Sequence, residues 1–183
     1  MTEDERRRWN ARAERGGYAP GQRPARVVRR ALDELPAGRV LDLATGEGRN
    51  AIFLADRGWT VDAIDISTAM LDRARERARS QSVDVNWILA DLDDYCFPEG
   101  VYDAVTISYF DARHRLPAVK AALASGGVLC YQHHLTTATD GPSERYRFEP
   151  GELRTACSDL SVEHYEEDRD GNLVRLLARR VDP

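Results

Sequence analysis

Apolar positions along this chain alternate between two rhythms, a helical one and a strand one. Val27, Val28, Ala31, Leu32 and Leu35 fall on one helical face; Pro24 suits a first turn, and Pro36 with Gly38 stops the helix. Arg39–Leu43 (RVLDL) then reads as a short buried strand, and Arg49–Arg57 as a helix closed by Gly58. Trp59–Asp65 is a second strand, and Ser67 caps a helix running to about Arg79. Val83, Val85, Trp87 and Leu89 alternate with polar residues as a third strand, and Tyr102–Ser108 is a fourth. His114–Ala124 is expected to be helical with Pro117 in its first turn, and Gly126-Gly127 leads into a fifth strand, Val128–Gln132. Glu152–Ser158 makes a short helix. Leu160–Glu166 and Asn172–Arg179 then flank Arg169-Asp170-Gly171-Asn172, in which Asp-Gly is a strong hairpin signal.

Five alternating strand–helix units imply right-handed crossovers and a parallel sheet, and the hairpin adds an antiparallel strand near one edge. The expected organisation is an N-terminal arm over residues 1–23, with a turn-rich joint at Gly16, Gly17 and Pro20, followed by one α/β domain over 24–183.

With 183 residues and 42% hydrophobic content the chain can bury a core as a single domain. The net charge of −5 argues against a globally basic nucleic-acid binder. Residues 1–30 nevertheless hold nine arginines against four acids. That strip is a solvated helical arm or, alternatively, a surface for an anionic substrate or RNA. No apolar run approaches the ~18 residues of a membrane span, and MTEDERRRWN lacks the apolar stretch of a secretory signal. Cys96, Cys130 and Cys157 are scattered, which suits buried, reduced thiols in a cytoplasmic protein. No histidine pairing suits a metal, and none is expected.

In a doubly wound sheet the ligand lies beyond the carboxyl ends of the strands. After the first strand comes Asp42-Leu43-Ala44-Thr45-Gly46-Glu47-Gly48-Arg49-Asn50, whose glycines let backbone approach a ligand closely. Asp65 ends the second strand, where a carboxylate accepts from both hydroxyls of a ribose. Asp91, after the third strand, is placed to accept from an adenine amino group, with Leu92 beside it. Together these describe a pocket for an adenosine with a polar tail. Asp42 disfavours a pyrophosphate tail and favours an ammonium, which points to S-adenosylmethionine rather than NAD. The Tyr-x-x-x-Lys pair of compact reductases is also absent, since Leu116 stands four residues before the single lysine, Lys120.

These residues carry a resemblance. VLDLATGEGRNAIFLA (40–55), VDAIDIS (61–67), LADL (89–92), YDAVTISYF (102–110) and LPAVKAALASGGVLCYQ (116–132) resemble class I S-adenosylmethionine-dependent methyltransferases over nearly the whole chain. Within that superfamily the chain is similar to the small tellurite-resistance-type and thiopurine-methyltransferase-like group, and Trp9-Asn10-Ala11-Arg12 looks like its Trp-x-x-Arg start. The resemblance implies a Rossmann-like seven-stranded sheet of order 3-2-1-4-5-7-6 with strand 7 antiparallel. It also implies S-adenosylmethionine as cofactor, S-adenosylhomocysteine as product and a small-molecule acceptor. The cofactor-binding residues would be Asp42, Ala44, Thr45, Gly46, Gly48, Arg49, Asn50, Asp65, Ile66, Asp91, Leu92 and Ser108. One departure is Ala44, which replaces the first glycine of the usual D-x-G-x-G-x-G.

Methyl transfer from a sulfonium is an in-line displacement that needs alignment and exclusion of water. The acceptor site is expected over the ends of strands four and five, with Tyr109, His133 and His134 as candidate catalytic groups. Ser108, Phe110, Asp111, Tyr18, Arg145, Tyr146 and Arg147 lie in reach, and the arm is a candidate roof. Adjacent histidines in a strand point opposite ways, so at most one faces the site. Two alternatives stay open: an RNA- or protein-directed methyltransferase, and a nucleotide-binding protein without methyl transfer.

Overall fold

The structure, a computed structural model, describes residues 3–15, 23–32, 35–138, 142–168 and 172–181. Seven strands form one sheet: β1 (Arg39–Leu43), β2 (Thr60–Asp65), β3 (Asn86–Leu89), β4 (Tyr102–Ser108), β5 (Leu123–His134), β6 (Ser161–Asp168) and β7 (Leu173–Arg179). Their order is β3-β2-β1-β4-β5-β7-β6. The first five strands pair in parallel, and β7 runs antiparallel to both β5 and β6. The α/β, doubly wound expectation therefore holds, including the strand order and the antiparallel last strand.

The helices are α1 (Glu3–Glu14), α2 (Arg26–Leu32), α3 (Arg49–Ala55), α4 (Thr68–Ser80), α5 (Leu116–Ala122) and α6 (Glu152–Ala156). Strand alternation sorts the buried side chains into two cores. Val40, Val61, Ala104, Val128 and Cys130 pack with Val28 and Leu32 of α2 and Ala51 and Leu54 of α3. Leu41, Leu43, Ile64, Val105, Ile107, Leu129 and Tyr131 pack on the other face with Leu116 and Val119 of α5, Leu153 of α6 and Phe148.

Several boundaries differ from expectation. The third strand starts at Asn86, not Val83, because Ser82 turns with φ +56° and the Val83 N–H closes back onto the Ala78 carbonyl. No helix links β3 to β4, so the five units are not all strand–helix pairs. That crossover is built from an Asp91 turn and the edge-packed rings of Tyr95 and Phe97. The helix expected to reach Ala124 ends at Ala122, and β5 begins at Leu123, with a register shift opposite Tyr102 and Ala104. Cys130 and Cys157 are buried, but Cys96 is exposed.

Residues 3–14 of the arm form a helix. Its arginines are engaged along the helix: Arg6 and Arg7 lie 3.3 and 3.7 Å from Glu3, and Arg8 lies 3.9 Å from Glu5. Ala13 is buried, and the Asn10 side chain sits at the start of α4, accepting from Ser67 Oγ (2.6 Å) and the Ala69 N–H (3.2 Å). The expected joint at Gly16, Gly17 and Pro20, Tyr18, and the turn residues Arg169, Asp170 and Gly171 lie outside the described residues.

Candidate functional site

The β1–α3 loop is organised by a carboxylate beneath it. Asp42 is 1% exposed and accepts from the hydroxyls of Thr45 (2.6 Å) and Thr106. Burial pushes its carboxyl up, opposed by hydrogen bonds from Thr106, Thr45 and Asn50 and by the charge of Arg49. Ala44 leaves the strand with φ +50°, a left-handed conformation that a side chain tolerates poorly and that the usual glycine relieves. The Thr45 N–H then donates to Ile64 O of β2 at 2.9 Å.

The two glycines differ in their surroundings. Gly46 has φ +59°, and a Cβ built on it would meet nothing within 4 Å. Gly48 has φ +76°, and a Cβ there would lie 2.6 Å from the Trp87 ring and 3.1 Å from Ala74 Cβ. Gly46 therefore presents bare backbone to open space, while Gly48 permits close packing of loop, α4 and β3. Asn50 joins three elements: its Oδ1 accepts from the Ala25 N–H (2.9 Å) and its Nδ2 donates to Ser108 Oγ (3.1 Å).

Asp65, at the end of β2, is aimed at the same loop. Its Oδ2 accepts from the Gly46 N–H at 2.8 Å and its Oδ1 from the Ser67 N–H at 2.9 Å. Burial raises its pKa to about 6, against the lowering effect of those two amides. Each oxygen keeps a lone pair, the arrangement that receives a vicinal diol. Ile66 and Leu92 are buried, Leu92 within the core that holds Leu41, Leu43 and Ile64. Asp91 is half-buried and accepts from the Asp93 N–H at 2.9 Å, which shapes the turn beyond β3. Gly46, Asp65, Ser67 and, through α1, Asn10 thus form one hydrogen-bonded cluster.

The second part of the site lies over β4 and β5. Tyr109 follows β4 with φ +61°, its N–H donating to Gln132 O at 2.9 Å. Its ring lies 5.2 Å from the Arg49 guanidinium and 5.1 Å from the His134 ring. The His133 and His134 rings lie 5.9 Å apart, too close for side chains on opposite faces of the strand, so the expected opposition does not hold here. His133 is 1% exposed among Tyr131, Phe148 and the Asp111–Arg113 pair. Burial lowers its pKa to about 3, and its Nδ1 accepts from the His134 N–H. A neutral imidazole so held is a poor base, and His134 is the histidine that adjoins Tyr109. Of the loop candidates, Arg113 ties Asp111 (2.7 Å) to Glu152 (3.0 Å) and the Arg145 carbonyl (2.8 Å), and Tyr146 pairs with Arg145 (2.7 Å). Arg147 donates to Pro142 O (2.8 Å), and Phe110 O receives the Tyr131 hydroxyl at 2.7 Å.

Three residues of this region escaped the sequence reading: Asn10, Gln132 and Arg175. Gln132 and Arg175 carried a signal, since each is a polar residue next to an apolar run, Val128–Tyr131 in β5 and Leu176–Ala178 in β7. Asn10 carried none. Among the described residues no helix is long and apolar enough to cross a membrane, and no group of His, Cys, Asp and Glu is arranged for a metal ion.

A left-handed glycine loop facing a carboxylate at the end of β2 lies where doubly wound sheets receive their ligands. Residues 40–127 match the sequence profile of a family described as "Methyltransferase domain". That match and the strand order above make the segment similar to class I S-adenosylmethionine-dependent methyltransferases. The chain is 38% identical over 111 residues to a demethylmenaquinone methyltransferase of Thermus thermophilus, a match covering 57% of this chain and 50% of that protein. It spans about half, or less, of the length of the curated relatives it matches. Two solved structures are similar in fold. One comes from work on conversion of a disulfide bond into a thioacetal group during echinomycin biosynthesis (TM-score 0.74, 20% identity, 97% of this chain and 92% of that one). The other is TehB from Haemophilus influenzae (TM-score 0.71, 22% identity, 84% of this chain and 61% of that one).

Proposed function

We propose that this chain transfers the methyl group of S-adenosylmethionine to a small-molecule acceptor. The observation that carries the reading is the Gly46 backbone, open on its Cβ side and hydrogen-bonded to Asp65. Asp65 receives the ribose hydroxyls; Asp91 and the Ile66 and Leu92 backbone meet the adenine. Ala44, Thr45, Gly46 and Gly48 form the floor beneath the tail. Asp42, buried under that loop, supplies negative potential toward the ammonium and holds Thr45 in place. Arg49, Asn50 and Ser108 brace the methionine end.

The bound cofactor supplies an electrophilic methyl group. The protein's part is alignment and exclusion of water. Tyr109 and His134 border the space over β4 and β5 in which an acceptor would meet that methyl, and the buried His133 ring packs 5.9 Å from His134 behind them. Helix α1 is a lid over the cofactor, docked through Asn10 on Ser67 two residues beyond Asp65.

The relatives named for demethylmenaquinone make a demethylated quinone ring the first acceptor to test. The tellurite-resistance-type, thiopurine-like resemblance adds thiols and tellurite to the panel; the likeness to TehB supports it at the level of fold alone. A cytoplasmic setting, where an exposed thiol such as Cys96 stays reduced, suits the reading. The test is product detection with labelled S-adenosylmethionine across that panel, alongside thermal shift with S-adenosylhomocysteine, NAD and ATP. Stabilisation by NAD or ATP but not by S-adenosylhomocysteine would overturn the proposal.

A further inference from the structure

A line of three polar side chains runs from the antiparallel hairpin to the space over β4. Arg175 of β7 is 7% exposed, lying 3.2 Å from Asp168 and 3.5 Å from Glu166. Its Nε donates to Gln132 Oε1 at 3.2 Å. Gln132, 3% exposed, donates from Nε2 to the Tyr109 hydroxyl oxygen at 2.7 Å.

The direction of this line is forced. A guanidinium has only donors, so the group facing it in Gln132 must be the carbonyl oxygen, and the amide nitrogen must then face Tyr109. A phenol whose oxygen already accepts from an amide directs its own proton away. Among the described residues the Tyr109 hydroxyl meets no acceptor of its own. Burying an arginine and a glutamine to orient one side chain is costly, and that side chain also sits in a left-handed backbone conformation. Such expense concentrated at one residue marks a ligand contact.

We infer that Tyr109 is a fixed hydrogen-bond donor to the acceptor substrate, with its polarity set by Gln132 and Arg175, and that the acceptor presents an oxygen bearing lone pairs, a ring carbonyl or an enolate, at that point. This rests on the methyl-transfer reading and names the substrate class for its site. Tyr109 touches the substrate; Gln132 and Arg175 are positioning residues that act through it. An amine or thiol lacking such an oxygen leaves the donor unmatched and is selected against.

The test uses the full chain saturated with S-adenosylhomocysteine and a coloured probe, 2-hydroxy-1,4-naphthoquinone, whose absorption band shifts when its oxygen accepts a hydrogen bond. The 2-amino-naphthalene analogue without ring oxygens is the control. The wild type should bind the probe at least tenfold more tightly than the control and shift its band. Tyr109→Phe should lose that preference and the shift, while affinity for S-adenosylhomocysteine stays within twofold.

Gln132→Glu is the decisive variant, because it preserves shape and pairs with Arg175. Its second carboxylate oxygen accepts the Tyr109 proton and turns the phenol around, so the probe should bind as weakly as to Tyr109→Phe although the protein melts within a few degrees of wild type. In Tyr109→Phe/Gln132→Glu the second change should add nothing. A wild type that ignores the probe, an unaffected Tyr109→Phe, or additive losses in the double variant would each overturn the inference. Methyl transfer to amines or thiols with a silent Tyr109→Phe would sink this inference alone. Tyr109-dependent probe binding without any methyl transfer would sink the functional proposal and keep the donor.

Discussion

Cofactor affinity should depend on pH through Asp65, and in the opposite direction to stability. Burial raises this carboxyl from the ordinary aspartate value of 3.8 to about 6 in the folded protein without ligand. Ribose hydroxyls donate to the ionised form, so binding requires the carboxylate and lowers its pKa again. At pH 7 nearly all of the free protein is competent; at pH 5 only about a tenth is, which weakens binding about tenfold, or about 1.4 kcal/mol. Over that window the ligand's own carboxylate and ammonium keep their charges.

The stability effect has the other sign. A carboxyl whose folded pKa lies above its unfolded one favours folding only when protonated. Its cost, about 3 kcal/mol at pH 7 by proton linkage, is relieved as pH falls through 6 toward 4. Calorimetry with S-adenosylhomocysteine at pH 7, 6 and 5, with melting of the ligand-free protein at the same values, reads both slopes. Asp65→Asn should bind about as weakly at pH 7 as the wild type does at pH 5, show no pH dependence, and melt higher at pH 7. Affinity that stays level from pH 7 to pH 5 in the wild type would refute the assignment of Asp65 to the ribose.

The two loop glycines should fail in different ways. Gly46→Val keeps the fold, at a cost of about 1–2 kcal/mol for its left-handed backbone, but loses S-adenosylhomocysteine binding by calorimetry. Gly48→Ala drives a methyl against Trp87 and should lower stability by about 1–3 kcal/mol in urea unfolding, even at saturating ligand. Ala44→Gly relieves the φ +50° backbone and should raise stability by up to ~1 kcal/mol with binding unchanged, as a melting shift would show. Deleting residues 1–23 removes α1 and the Asn10 contact; affinity for S-adenosylhomocysteine should stay within about tenfold while turnover falls much further. Turnover that survives the deletion means that α1 is not a lid.

The glycine loop, Asp65 and the strand ends were legible because each depends on local chemistry. A glycine beside a strand end, an acid closing an apolar run and a serine opening a helix act through their nearest neighbours. Ser67 does cap α4, accepting from the Met70 N–H. The β3–β4 crossover was misread because its apolar residues, Tyr95 and Phe97, satisfy each other and the core without helical periodicity. The start of β5 was misread because Leu123 is drawn into the sheet opposite Tyr102, and pairing across strands overrides local helix preference.

By itself the sequence determined the two hydrophobic rhythms, hence the alternating elements, the parallel sheet and the end of that sheet where a ligand must lie. It also placed glycines and carboxylates at the carboxyl ends of those strands. Tertiary structure alone decided what each residue faces. It set Gly46 toward open space and Gly48 against Trp87, although the two stand two residues apart. It enclosed His133 and left His134 beside Tyr109. It also brought Arg175 from the last strand to Gln132, 43 positions away, and Asn10 from the first helix to Ser67, 57 positions away. Periodicity encodes which face of an element is buried, because burial is a property of the side chain. Which partner waits there depends on how strands from distant parts of the chain come into register, and no local pattern records that.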